Sequence, residues 1–231
     1  MSGFHKLISN LKSALEHSAE PAQEPANHQS HAVPVTVSGH RVELCSLFAR
    51  ELEAVNGHFL GTLSPAEVAT KIGALARELG ARTAALGESV EIDAEPIAKA
   101  LQGAGVAVIR PQTTDDDGRI ALRNQIAGCD MGVAEAHYAV AATGTLAVVA
   151  TPRRPNSLTL LPPINVIIVH ADRVLSDLAA VVAALGAETF ATHRVSLITG
   201  PSRTADIEKM IVLGVHGPKQ LYVAMVWPQE R

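Results

Sequence analysis

Apolar and polar positions along the chain follow two patterns, a helical spacing in some segments and short continuous apolar runs in others. The helical spacing predicts helices at residues 42–55, 64–79, 93–103, 119–126, 177–185 and 203–213. The apolar runs predict strands at residues 58–60, 83–86, 106–109, 146–150, 166–169, 196–199 and 221–226. Helices that end at glycine and lead into such strands indicate right-handed βαβ crossovers. We therefore predict an α/β fold with a mostly parallel sheet and helices on both faces.

Local signals mark where several of these helices begin and end. Ser64 and Glu67 have the residue types of a capping box, with proline in the first turn between them. Asp93 is a suitable N-cap, and Gly80 and Gly186 are suitable helix terminators. These boundaries depend only on neighbouring residues, so the sequence predicts them without reference to the fold.

The first 40 residues differ in composition from the rest of the chain. Apolar side chains at helical spacing predict an amphipathic helix over residues 3–17. Those side chains are Phe4, Leu7, Ile8, Leu11 and Leu15. Residues 18–40 are rich in Ala, Pro, Gln, His and Ser, which is typical of a flexible linker. We expect a helix and linker over 1–40 and one α/β domain over 41–231, with the helix docked either on that domain or on a partner.

Charge and composition exclude several classes of protein. The net charge is −4 and aromatic residues make up 3% of the chain, so neither a basic field nor stacking platforms for nucleic acid are expected. The sequence has no stretch of about 18 uncharged apolar residues, so no membrane span is predicted. The N-terminus lacks the pattern of a secretory signal, and this predicts a cytoplasmic protein with reduced thiols.

The sequence offers few ligands for a metal or an iron–sulfur cluster. Cys45 and Cys129 are the two cysteines, too few for a site that needs four thiolates. The ten histidines form no zinc motif. Residues 115–118 carry only part of a calcium-loop pattern, and a solvated turn is the simpler interpretation. We predict no metal and no cofactor on this chain.

The first candidate site lies in residues 199–208, where a predicted strand, a tight turn and a predicted helix start follow one another. The free N–H groups and the dipole of such a helix start attract an anion. We expect this turn at the carboxyl ends of the strands, where doubly wound sheets bind ligands. The candidate ligand-binding residues are Gly200, Ser202, Arg203, Thr204 and Asp206. The alternative is an ordinary capped helix with acidic residues in its first turn.

A second candidate is the turn formed by Thr143, Gly144 and Thr145, just before a predicted strand. A glycine between two hydroxyl side chains lets the backbone approach a ligand closely. The alternative is a simple helix-to-strand turn with glycine at the helix end.

The third candidate is residues 214–218 (GVHGP), which follow the last predicted helix. The glycines and the proline would hold His216 in place beside Gly217, and histidine is suited to proton transfer near neutral pH. The alternative is a histidine that only interacts with the dipole at the end of a helix.

Four segments together resemble a known family. Residues 132–145 resemble the segment that ends in TGT in the LUD-domain family, lactate utilization protein C group. Residues 157–163 (SLTLLPP) look like its SLLPP segment, and residues 199–208 (TGPSRTADIE) and 214–218 match its two closing signatures. The resemblance covers roughly residues 42–226.

The resemblance implies a fold like that of the ribose-phosphate isomerase and CoA-transferase superfamily. It also implies a role in the oxidation of L-lactate to pyruvate beside two iron–sulfur partner proteins, on which the redox cofactors would lie. One position departs from the family pattern, because many relatives carry an acidic residue before TGT and this chain has Ala142. Glu135 lies about two helical turns earlier, too far away to be an obvious replacement.

Three functions remain open from the sequence. The first is an accessory or regulatory subunit of a lactate-oxidising complex. The second is a binding protein or enzyme for a phosphate- or carboxylate-bearing small molecule, of which a CoA-transferase-like reaction is a version resting on fold analogy. The third is an interaction protein whose glycine-rich turns shape a docking face.

Overall fold

A computed structural model describes residues 39–89, 91–112, 116–205, 211–213 and 217–227. The helices are α1 (Gly39–Ala54), α2 (Pro65–Glu78), α3 (Ala94–Gly103), α4 (Asp116–Ala127), α5 (Ser157–Leu160) and α6 (Leu178–Thr192). The first six strands are β1 (His58–Leu63), β2 (Thr83–Leu86), β3 (Ala107–Ile109), β4 (Met131–Glu135), β5 (Tyr138–Val140) and β6 (Thr145–Val149). The others are β7 (Ile164–His170), β8 (Val174–Leu175), β9 (Val195–Ile198), β10 (Arg203–Ala205), β11 (Ile211–Leu213) and β12 (Gln220–Val226).

A six-stranded sheet with the order β1-β12-β7-β4-β2-β3 forms the centre of the domain. All of its neighbouring strands pair in parallel. Along β7, Val166 and Ile168 face one apolar cluster while Ile167 and Val169 face another. Burial on both faces explains why the strand reads as a continuous apolar run. The predicted parallel α/β architecture is confirmed.

Helices α2 and α3 cover one face of this sheet. The capping box at the start of α2 is present, because the Ser64 backbone N–H donates to Glu67 Oε2 at 2.8 Å. Asp93 caps α3 by accepting from the backbone N–H of Glu95 at 2.9 Å. Both predicted caps are confirmed, and they align apolar helix faces that include Ile72 with the sheet.

The opposite face is covered by α1 and by a four-stranded sheet with the order β8-β5-β6-β9. In this second sheet, β6 pairs antiparallel with both β5 and β9. Helix α6 packs on it through Val181 and is kinked at Gly186, where φ is 73°. The strands predicted at residues 146–150 and 196–199 correspond to β6 and β9, which pair antiparallel in this sheet, while β5 and β8 pair in parallel.

The sequence did not predict β4 or β5. Their segment is rich in alanine and glycine, residues with little strand propensity, and the predicted turn at residues 143–145 implied a preceding helix. All five residues of β4 are buried between neighbouring parallel strands, so tertiary burial outweighs local propensity. From Glu135 to Ala142 the chain therefore completes β4, forms β5 and enters a short 3-10 helix (Ala141–Thr143), rather than two turns of α-helix. Gly144 ends this 3-10 helix in the left-handed conformation, just before β6.

The helix predicted over residues 203–213 is wrong. β10 and β11 lie in this range and pair antiparallel, with Thr204 opposite Val212. A capping pattern after Gly200 favoured a helix start, but the β-branched residues of the two short strands suit a paired ladder. The turn at Gly200 therefore leads into the strand Arg203–Ala205, and the described residues 201–205 contain no helix start.

The predicted helix and linker over 1–40 lie outside the described residues, apart from the first two residues of α1. The boundary of the domain at residue 41 stays a prediction. None of the helices within the described ranges is long and apolar enough to cross a membrane.

Candidate functional site

The structure brings the predicted glycine-rich turns together. Thr145 Oγ1 lies 2.7 Å from Thr143 Oγ1 and 2.7 Å from Thr199 Oγ1, so a chain of hydroxyl groups joins two of the turns. The Ser202 backbone N–H donates to Pro218 O at 2.8 Å and joins the third. We call residues 143–145, 199–202 and 217–218 the amino-end cluster.

Two glycines of the amino-end cluster lie directly against the C-terminal end of α1 and the residue that follows it, Val55. A Cβ atom on Gly144 would lie 2.4 Å from the backbone nitrogen of Leu52, and φ at Gly144 is +63°. A Cβ atom on Gly200 would lie 2.6 Å from the carbonyl oxygen of Val55. Real Cβ contacts are not this short, so these positions require glycine in order to let α1 approach.

The amino-end cluster, with the turn at Gly200, is not at the carboxyl ends of the parallel strands, where the sequence analysis expected that turn. Pro218 comes just before β12, and the neighbouring Lys219 backbone N–H donates to Pro163 O, just before β7. Leu52 and Val55 likewise precede β1. The turn at Gly200 ends a strand of the antiparallel sheet, and this explains the difference.

The remaining residues that the sequence predicted for the site lie partly in a strand, partly outside the described residues and partly beside Ser202. The backbones of Arg203 and Thr204 form β10 rather than the start of a helix. Asp206 and His216 lie outside the described residues. Gly217 lies beside Ser202, because a Cβ atom on Gly217 would be 2.9 Å from Ser202 Cβ. Ligand binding by these residues stays a prediction.

A different group of side chains lies at the carboxyl end of the parallel sheet. Glu135 is the last residue of β4 and is only 2% exposed. Its carboxylate accepts from the backbone N–H groups of Glu91, at 3.3 Å, and Ile92, at 3.4 Å. A buried carboxylate at a strand end is costly unless it is hydrogen-bonded in this way.

His170 is the last residue of the adjacent strand β7. Its Nε2 atom lies 3.8 Å from Glu91 Oε2 and 3.8 Å from Glu135 Oε1. In the described part of the chain this nitrogen is buried and has no hydrogen-bond partner. The imidazole is therefore positioned between two carboxylates, and it forms ion pairs with both when it is protonated.

Arg173 completes the group at the solvent side. Its guanidinium forms an ion pair with Glu91 and donates to the Tyr138 hydroxyl at 3.2 Å. These three residues line a cavity of about 70 Å³ together with Glu135. That volume accommodates a few water molecules or one ligand with a handful of heavy atoms. We call Glu91, Glu135, Tyr138, His170 and Arg173 the carboxyl-end cluster.

A buried arginine and a neutral histidine border this cluster. Arg154 is 4% exposed, and its guanidinium donates to the carbonyl oxygens of Val149 and Glu88, each at 3.1 Å. Its Nη2 atom lies 3.2 Å from His137 Nε2, which must accept because a guanidinium can only donate. Burial lowers the pKa of His137 to about 4, and the charges of Arg154 and Arg173 act in the same direction.

The carboxyl-end cluster combines two chemical capabilities. Glu135 and the neighbouring His170 are groups that exchange protons, and the guanidinium of Arg173 with the Tyr138 hydroxyl provides donors for a carboxylate. Among the described residues, no three His, Cys, Asp or Glu side chains form a group that could hold a metal ion. The guanidinium of Arg173 and the hydroxyl of Tyr138, beside the Glu135 carboxylate, suit a small organic acid.

Sequence reasoning missed this cluster although it contained a signal. Glu135 and His170 each end a run of buried residues, and the ends of parallel strands meet at one edge of the sheet. The strand β4 was not recognised, so the two residues were not placed together. Ala142 is exposed, and its backbone N–H donates to Ser176 O at 3.1 Å, apart from the cluster.

Comparisons with known proteins agree with the fold and the motifs. The model of the LUD domain matches residues 45–226. The uncharacterized protein YkgG of Escherichia coli is 26% identical over 209 residues, covering 88% of this chain and 89% of that protein. Lactate utilization protein C of Macrococcus caseolyticus is 32% identical over 117 residues, covering 48% of this chain and 50% of that protein.

A crystal structure at 1.70 Å of a DUF162 family protein from Deinococcus radiodurans has the same fold. It superposes with a TM-score of 0.59 at 20% identity and covers 84% of this chain and 99% of that chain. Apart from YkgG, the chain spans about half the length of the curated relatives it matches.

Proposed function

This chain belongs to the LUD domain family, and we propose that it acts in L-lactate utilisation, the oxidation of lactate to pyruvate, as a subunit that works beside iron–sulfur proteins. The observation that carries the proposal is the match over residues 45–226. Several of the matched relatives are named lactate utilization protein C.

The chemistry of the reaction supports a division of labour between subunits. Oxidation of lactate to pyruvate releases two electrons and two protons, and the electrons require a redox centre. Cys45 and Cys129 are buried in separate apolar clusters. Burial raises the pKa of Cys45 to about 11 and also raises the pKa of Cys129. Two thiols in separate clusters do not supply the four thiolates that an iron–sulfur cluster usually needs. We therefore assign the redox centres to the partners.

The first experiment tests the role in the complex. The full chain, tagged and expressed in its native source grown on lactate, is purified and its partners are identified. Lactate-dependent dye reduction is then measured with and without the chain. Co-purification of iron–sulfur proteins and loss of activity without the chain are expected. Full activity of the partners alone would overturn the proposed role.

A second function is favoured by the carboxyl-end cluster, the binding of a small hydroxy or keto acid. Arg173 and Tyr138 would hold the carboxylate in the 70 Å³ cavity, and Glu135 would accept a proton from the hydroxyl group. His170 would act as a positioning residue, since its Nε2 lies 3.8 Å from Glu135 Oε1 and is itself buried. The observation that supports this function is the joint presence of guanidinium, phenol and buried carboxylate around one small cavity.

Arg173→Ala tests the second function through equilibrium binding of lactate and pyruvate, measured by calorimetry. Loss of a charged hydrogen bond is expected to weaken binding about 10-fold or more. Arg153→Ala is the matched control, because Arg153 also forms an ion pair with a glutamate, Glu88, but does not line the cavity. Equal weakening by both substitutions, or by neither, would contradict the assignment, whatever the role in the complex.

A further inference from the structure

A second and larger cleft lies between α4, the segment 150–157 and the start of β9. Its volume is about 650 Å³, within the range of typical small-molecule sites. Three arginines and a histidine line it, namely Arg119, Arg123, His193 and Arg194. None of the described lining residues is an aspartate or a glutamate, so the cleft is strongly basic although the chain as a whole is acidic.

The walls of the cleft are joined by hydrogen bonds. The Ala150 backbone N–H donates to Arg194 O at 2.8 Å and fixes the start of β9 against the end of β6. Ser196 Oγ donates to Asn156 Oδ1 at 3.2 Å and ties the same strand to the segment before α5. The basic side chains therefore extend from backbone that is already ordered, which lowers the entropic cost of binding.

Arg123 and Arg194 give the cleft its unneutralised charge. Within the described ranges, neither guanidinium forms an ion pair or a hydrogen bond with another residue. A guanidinium presents donors in a planar fork that fits phosphate oxygens in pairs. The two side chains come from different walls, Arg123 from α4 and Arg194 from the residue just before β9, and both line the same cavity.

Apolar residues line one part of the cleft, and the polar residues Thr151, Asn156 and Ser157 line another. Leu122 is 6% exposed and, with Pro152 and Pro155, provides a hydrocarbon surface beside the arginines. A site with charged donors at one part and apolar wall at another suits an anion with an organic portion. Inorganic phosphate would leave this apolar wall uncovered.

We propose that the cleft binds an organic phosphate that carries at least two negative charges. The two guanidinium groups of Arg123 and Arg194 require more than the single charge of a carboxylate to balance them. A volume of about 650 Å³ also exceeds what a molecule of the size of lactate would fill. The site shares no lining residue with the cavity of the carboxyl-end cluster and goes beyond the proposed function.

Calorimetric titration of the full chain tests the proposal, with pyrophosphate and ADP as charged probes and adenosine as the neutral probe. Pyrophosphate and ADP are expected to bind, ADP more tightly, and adenosine to bind far more weakly than ADP. Arg123→Ala and Arg194→Ala are each expected to weaken ADP binding about 10-fold or more. Arg194→Lys keeps the charge without the fork and is expected to have an intermediate effect. Binding should also weaken as the salt concentration rises.

Arg77→Ala is the matched control, since Arg77 is an exposed arginine on α2 that does not line the cleft. It removes the same charge and is expected to leave ADP binding unchanged. Thermal unfolding of each unliganded variant shows whether the fold is intact. The proposal is overturned if neither charged probe binds at millimolar concentration, if adenosine binds as tightly as ADP, or if Arg77→Ala weakens binding as much as Arg194→Ala.

Discussion

The amino-end cluster and the carboxyl-end cluster lie at opposite ends of the same parallel sheet and are built from different contacts. At the amino end, Gly144 and Gly200 press against the backbone of α1, and the polar contacts are between neutral hydroxyl and peptide groups. At the carboxyl end, the Glu135 carboxylate and the His170 imidazole lie side by side in a nearly buried position, with Arg173 at the solvent side.

The amino-end cluster is thus a recognisable sequence motif that serves close packing, whereas the carboxyl-end cluster holds the ionisable side chains. The glycine-rich segments are conspicuous in the sequence because close packing and positive φ allow little besides glycine. The carboxyl-end cluster is built from single residues in separate segments, with no motif around any of them. We therefore expect substitutions at the amino end to act on stability without changing the binding of small acids at the carboxyl end. Substitutions at the carboxyl end are expected to act on stability and on that binding.

The largest effect is expected for Gly144→Ala. A side chain in the left-handed region costs about 1–2 kcal/mol, and the contact with Leu52 adds roughly 1–3 kcal/mol of overpacking. Urea unfolding is expected to show a loss of about 2–5 kcal/mol. Gly105→Ala is the control, because φ at Gly105 is +83° and nothing lies within 4 Å of its Cβ position. If both substitutions cost the same, packing against α1 does not require glycine at residue 144.

Glu135→Ala is expected to have the next largest effect. It leaves the backbone N–H groups of Glu91 and Ile92 without their acceptor in a buried place, at a cost of about 1–3 kcal/mol. Glu135→Gln keeps an acceptor oxygen and should cost less. Glu88→Ala removes an exposed ion pair and should cost about 1 kcal/mol or less in the same urea experiment. If Glu88→Ala and Glu135→Ala lower the free energy of unfolding equally, the hydrogen bonds accepted by Glu135 do not stabilise the fold.

The lowered pKa of His137 is expected to make the stability of the fold depend on pH. Its pKa is about 4 in the folded protein against an ordinary value of 6.5, mainly because of burial. As the pH falls from about 6.5 towards 4, the unfolded chain binds a proton that the folded imidazole does not, so stability decreases. The expected loss is about 1–2 kcal/mol, below the full linkage value because the ring is partly exposed.

Urea unfolding at several pH values, on the natural chain and on His137→Gln, isolates this contribution. The carboxylates Asp130 and Asp177, whose pKa values are lowered by hydrogen bonds, also destabilise the fold in acid but are present in both proteins. The variant is expected to lose less stability between pH 6.5 and 4. Parallel curves for the two proteins would contradict a neutral, buried His137.

The smallest effect is expected for Thr145→Val. It removes the hydroxyl that joins Thr143 to Thr199, at a cost of about 1 kcal/mol, and should leave the binding of small acids unchanged. Thr70→Val is the control, since Thr70 is exposed on α2 and its hydroxyl donates only to Ala66 O of the same helix. Weaker lactate binding by Thr145→Val would contradict the expectation that the amino end of the sheet does not influence ligand binding at the carboxyl end.

Local signals explain which parts of the fold could be predicted. The capping residues Ser64 and Asp93 act on their own helices, and the apolar runs of β7 and β12 report burial on both faces of a parallel sheet. The motifs also identified the family correctly, because they lie in the part of the chain that the LUD domain model matches. These inferences need only a short window of sequence.

Strand pairing and the carboxyl-end cluster could not be predicted in this way. A local capping pattern favoured a helix over residues 203–213, but pairing between β10 and β11 prevailed. The alanine-rich segment of β4 forms a strand because parallel neighbours bury it on both sides.

By itself, the sequence determined the fold class, the family and most of the helix boundaries, because capping and hydrophobic periodicity are properties of neighbouring residues. Only the tertiary structure decided which side chains meet. Glu91 lies 44 positions from Glu135 and 82 from Arg173 along the chain, and these residues approach one another only where the strands and the loop beside them end at one edge of the sheet. That proximity depends on the burial and pairing of the whole domain, which no local pattern specifies.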